Sequence, residues 1–180
     1  MKKNKINKNG FTLIELLVVI SIIGFLAVAS VVMFDNTRMK GRDAQRIANI
    51  SQISKALDLY YDKYSHWPDP SSDECSEGWD EGFCDEDGGD DFIQALKSEG
   101  LMSQTPGDPL FSGAQAFKYY VYEEGSEGCD SSKGKFYVLG ITDLETDARP
   151  TTKYSGSGFS CPNRDWQDEF DYVIGKFEIN

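Results

Sequence analysis

One acidic side chain, Glu15, stands five residues into an otherwise apolar run, FTLIELLVVISIIGFLAVASVVMF, from Phe11 to Phe34. A carboxylate carried toward the middle of a bilayer costs about 2.5 kcal/mol or more, so an acid in such a run reads by default as functional, with a partner to be named. Four cysteines, Cys75, Cys84, Cys129 and Cys161, follow later in the chain. Two clusters of oxygen ligands are candidates for a structural calcium ion: Asp143, Glu145 and Asp147, and within DEDGGDD the residues Asp85, Asp87 and Asp90. The second cluster departs from the order of acids and glycine in an EF-hand loop, and a solvated acidic surface is the competing reading of both. His66 is the single histidine. No nucleophile stands with a base, so no catalytic residue is assigned and enzymatic function is not expected.

The charge of the 180-residue chain divides along its length. It carries 18 basic and 30 acidic groups, a formal net of −12. Residues 1–64 hold 10 basic and 5 acidic groups, net +5, whereas residues 65–180 hold 8 and 25, net −17. An acidic C-terminal part has no basic track to release counterions from a phosphate backbone, so a nucleic-acid partner is not expected.

The elements that position these residues follow from the pattern. The 24 residues from Phe11 to Phe34 span roughly 36 Å as a helix, enough for a hydrocarbon core of about 30 Å. Lys2, Lys3, Lys5 and Lys8 precede the run and orient the chain with its N-terminus in the cytoplasm. A cleaved secretory signal is the competing reading, with Ala27-Val28-Ala29 as its cleavage site; Glu15 argues against it. No proline occurs before Pro68. Ile47, Ile50, Ile53, Leu57, Tyr60 or Tyr61, and Tyr64 recur at helical spacing, while Arg38, Lys40, Arg42, Asp43, Arg46, Lys55, Asp58 and Lys63 fill the remaining positions. One helix over 11–64 is expected, with Gly24 and Gly41 as points of local bending.

Beyond it, FKYYVYE (Phe117–Glu123), KFYVLGI (Lys135–Ile141) and Phe170–Ile179 read as strands of an antiparallel sheet, with one short helix near Asp91–Ser98. One face of that sheet is expected to pack on the helix stripe, an α+β arrangement. Four cysteines in an oxidising compartment imply two disulfides with three connectivities. Cys75–Cys84 closes a local loop and Cys129–Cys161 ties the hairpin connection to the C-terminal loop, and this is the pairing expected. A zinc site lacks any Cys-x-x-Cys pair.

The string KNGFTLIELLVVISIIGFLA resembles the N-terminal signature of type IV prepilins and type II secretion pseudopilins: a short basic leader ending in Gly10, then Phe11, a Glu at the fifth mature position and a long apolar run. ALDLYYDKYSHWPDP and ALKSEGLMSQTPGDP resemble later segments of major-pseudopilin-like proteins, and Val32 stands where many bundled pilins carry a kinking proline. The resemblance implies a pilin-like fold and cleavage between Gly10 and Phe11 by a prepilin peptidase that methylates the new amine. It also implies that Glu15 pairs with the Phe11 amine of a neighbouring subunit. Four parts follow: a leader at 1–10, a transmembrane and fibre-core helix at 11–34, an amphipathic helix at 35–64 and an extracytoplasmic head at 65–180. The implied partners are identical or related pilin subunits, the peptidase, and an inner-membrane assembly platform with its ATPase. The precursor would sit in a bacterial inner membrane and the assembled filament in the periplasm or outside the cell. A membrane-anchored binding module that borrows the signal without forming the main fibre is the alternative. No cofactor is expected beyond the candidate calcium ion, which resembling major pseudopilins carry in the loop after the second strand.

Overall fold

A helix of 52 residues, α1 (Leu13–Tyr64), dominates the chain. The computed structural model describes residues 10–70, 78–81, 92–110, 117–146 and 158–179, with the side chains of 29–33 also outside the described set. The helix begins two residues later than expected, because Thr12 stands outside it as the capping residue. It continues through Gly24 and Gly41 without interruption. The chain divides into two compact units, Met1–Arg38 and Met39–Asn180.

In the first unit, every described side chain of α1 from Leu13 to Val28 is exposed. Among the described residues, no helix is long and apolar enough to cross a membrane.

The second unit is the head. Its four-stranded antiparallel sheet has the order β1-β2-β3-β6. The strands are β1 (Asp80–Glu81), β2 (Phe117–Tyr122), β3 (Phe136–Ile141) and β6 (Tyr172–Phe177). A short helix α2 (Gln94–Ser98) lies between β1 and β2. A two-stranded ribbon of β4 (Ser160–Cys161) and β5 (Arg164–Asp165) precedes β6. The register places Tyr119 opposite Leu139 and Val138 opposite Gly175.

Side-chain alternation sorts the sheet into two cores. Tyr119, Tyr137, Leu139 and Ile141 meet Ile50, Ile53 and Leu57 of α1 on one face, as the helical spacing predicts. The opposite face carries Tyr122, Phe136, Val138 and Val173, covered by Trp166, Phe170 and the cysteines of the ribbon region. The sheet is therefore apolar on both sides, which explains why central strand β3, FYVLGI, is buried at all six positions and reads as a continuous apolar run. Two glycines make room for the covering rings. A Cβ on Gly140 would lie 2.5 Å from the ring of Phe170, and one on Gly175 would collide with the ring of Phe159.

Candidate functional site

The N-terminal site is built around the first turn of α1. Thr12 and Glu15 form a reciprocal pair: the Thr12 amide and hydroxyl donate to Glu15 Oε2 at 2.8 and 2.7 Å, and the Glu15 amide donates to Thr12 Oγ1 at 3.3 Å. This is a capping box, in which Ser or Thr and a Glu three residues later satisfy amides that have no partner inside the helix. A carboxylate in the first turn also faces the positive end of the helix dipole. Oε2 thus orients the carboxylate, and among the described residues Oε1 accepts no hydrogen bond. Phe11, at the proposed junction, is 90 % exposed.

Residues 5–31 match the prokaryotic N-terminal methylation motif. This is the type IV prepilin-like signal, and it covers Gly10, Phe11 and Glu15 together. The match is confined to this N-terminal signal, which is found on type IV pilin-like precursors, a class whose members are processed by a prepilin peptidase and polymerise. No curated protein and no solved structure gives a significant match to the chain.

In the head, the described side chains that converge most closely are ionic. Arg46, with no exposed surface, donates from Nη1 to Asp43 at 2.7 Å and to Glu145 at 2.6 Å. Its Nη2 donates to Asp108 at 3.1 Å, and its Nε to the other oxygen of the same carboxylate. Arg42 adds a second guanidinium, donating from Nε to Glu145 Oε1 at 2.7 Å and from Nη2 to Oε2. Asp43 in turn accepts the backbone amides of Glu145 and Thr146 at 3.1 and 2.8 Å and the Thr146 hydroxyl at 2.7 Å. Burial pushes the Asp43 carboxyl up, but the donors from Thr146, Glu145 and Arg46 outweigh it and hold the group below the usual carboxylate range. Glu145 is held below its usual value chiefly by its hydrogen bonds from Arg42.

Placing these residues corrects the helical reading. Asp43 and Arg46 are buried, not part of a solvated face, because their partners arrive from loops about 60 and 100 residues later in the chain. Of the first calcium candidates, Glu145 is committed to two arginines, and Asp143 lies near it in sequence. Asp147, Asp85, Asp87 and Asp90 lie outside the described residues. Among the described residues, no three histidine, cysteine or acidic side chains gather as metal ligands.

Cys129 and Cys161 form a disulfide, with Cα atoms 5.1 Å apart. Cys75 and Cys84 lie outside the described residues. His66 closes the end of α1: its Nδ1–H donates to the Trp67 carbonyl at 2.8 Å, and its ring meets Tyr60 edge-on. These contacts give it a packing role at the helix terminus.

The capping box was legible as Thr-x-x-Glu at 12–15. The ionic cluster carried no comparable local signal.

Proposed function

We propose that this chain is a structural subunit of a filament assembled from the inner membrane, of the type IV pilus or type II secretion pseudopilus kind. The observation that carries the proposal is the methylation motif over residues 5–31, joined to a helix that exposes apolar side chains on all sides from Leu13 to Val28. Phe11–Phe34 holds the precursor in the bilayer, with the leader in the cytoplasm and the head outside. A prepilin peptidase removes residues 1–10 and methylates the Phe11 amine. An assembly platform and its ATPase then move the mature chain into the fibre, where the apolar helices pack on those of identical or related subunits.

Glu15 selects the axial offset between subunits. In low dielectric an isolated carboxylate and an isolated amine are each costly, and far less so as a pair. The capping box supports this role: Thr12 fixes Glu15 through Oε2, leaving Oε1 to meet the Phe11 amine of a neighbour. The absence of proline before Pro68, with Val32 inside the continuous helix, favours the pseudopilin over the kinked pilin type.

N-terminal sequencing and intact mass of the mature protein test the processing step. The expected product starts at a methylated Phe11; a product starting at Ser30 overturns the proposal. Electron microscopy of the envelope fraction tests assembly. A correctly processed chain that never enters a filament assigns it instead to the anchored binding modules.

A further inference from the structure

Three carboxylates from three separate stretches of the head meet one buried guanidinium. Asp43 comes from α1, Asp108 from the segment between Pro106 and Pro109, and Glu145 from the segment after β3. Their side chains are at most 11 % exposed, and Arg46 not at all. Carboxylates gathered this deeply repel one another and lose hydration, so they stay ionised together only around a cation. A divalent ion is one such centre, because hard oxygen ligands suit it. Here the position is filled by the chain itself. Nε, Nη1 and Nη2 of Arg46 each reach a carboxylate, and the planar fork of a guanidinium matches that geometry where a point charge would not.

A calcium ion bound through Glu145 does not fit this arrangement. Both Glu145 oxygens already accept from arginine, and Arg42 and Arg46 would place two positive charges beside the incoming ion. We propose that Arg46 is the resident counter-ion of the head, latching α1 to the 105–110 and 142–146 segments, and that Glu145 serves this latch and not a calcium ion. This inference is independent of filament assembly, since it concerns the folded head alone.

The test compares thermal unfolding of the full chain in detergent micelles, followed by near-ultraviolet circular dichroism, in EDTA and in millimolar calcium. The wild-type Tm is expected to be the same in both; a rise of several degrees with calcium overturns the proposal. Arg46→Gln leaves three buried carboxylates without their cation and is expected to lower Tm by about 10 °C. Arg46→Lys is expected to restore little, since it lacks the fork. An Arg46→Gln chain that melts with wild type overturns the assignment. Should that variant fail to fold, amide exchange on the wild type decides: the Glu145 and Thr146 amides, which donate to Asp43, are expected to be protected in EDTA. Protection that appears only with calcium refutes the role given to Arg46.

Discussion

Gly140 is a notch that lets the ring of Phe170 approach the sheet closely, and Gly140→Ala tests this in energetic terms. A Cβ there would sit 2.5, 2.9 and 3.0 Å from three ring carbons, whereas carbon pairs rest at about 3.5–4.0 Å. The ring must therefore retreat by roughly 1 Å, a shift that its near-complete burial and its contact with Trp79 at 5.5 Å between centroids resist. Overpacking of this kind costs about 1–3 kcal/mol. The backbone at Gly140 does not have positive φ, so alanine adds no backbone strain, and the stiffer chain returns about 0.5–1 kcal/mol. The net loss is about 1–2 kcal/mol, which at about 2–4 °C per kcal/mol lowers the Tm by several degrees. Near-ultraviolet circular dichroism of the full chain in micelles measures it. A cycle with Phe170→Leu then isolates the collision, and a favourable coupling of about 1 kcal/mol is expected because the smaller side chain removes the clash. A Gly140→Ala chain as stable as wild type, or strictly additive losses in the cycle, would refute the reasoning.

Other perturbations separate the remaining roles. Glu15→Gln keeps an oxygen for the Thr12 amide but loses the charge, so processing at Gly10 should survive while filament yield falls sharply; Thr12→Ala, which removes the cap without touching the charge, should lower yield far less, as counted in micrographs. Asp43 and Glu145 have folded pKa values below their ordinary 3.8 and 4.5. Their stabilisation is therefore complete above those values and lost as pH falls through the lower folded ones, so Tm should hold from neutral pH to about 5 and drop below about 4. Replacing both Cys129 and Cys161 by Ser opens a loop with a separation of 32 residues and should cost about 3–4 kcal/mol, measurable by denaturant unfolding. Burial pushes the Tyr137 hydroxyl up to about 12 and raises Tyr119 as well. Spectrophotometric titration of the nine tyrosines should therefore show at least two that ionise only as the head unfolds.

Regular elements with strong periodicity were visible in the residues themselves. The stripe from Ile47 to Leu57 and the strands β2, β3 and β6 lie within two residues of where hydrophobic spacing puts them, because each is a repeated signal tied to one burial direction. The second face of the sheet was not visible. Its cover, from Phe159 to Phe170, is a ribbon and a short 3-10 turn, and aromatic residues in irregular backbone have no period to announce their direction. Arg42, Asp43 and Arg46 were hidden for a different reason. Charge on a helix face implies solvent unless partners come from elsewhere, and Asp108 and Glu145 are 62 and 99 residues away from Arg46. At Glu15 the local sequence held two meanings at once, an acid in an apolar run and the last member of a capping box. The first is the more conspicuous and obscured the second.

Asp43 is the first deeply buried residue that α1 brings to the head, and this decides how a pull along the helix would be borne. Tension entering at that point meets the bonds of Asp43 and Arg46 to two distant segments before it reaches the apolar stripe at Ile50 and Ile53. Those bonds run from α1 to two separate segments of the head, so the load is divided between them. For a filament subunit of the kind proposed, a pull on the helix would be delivered first to the part of the head that these bonds hold.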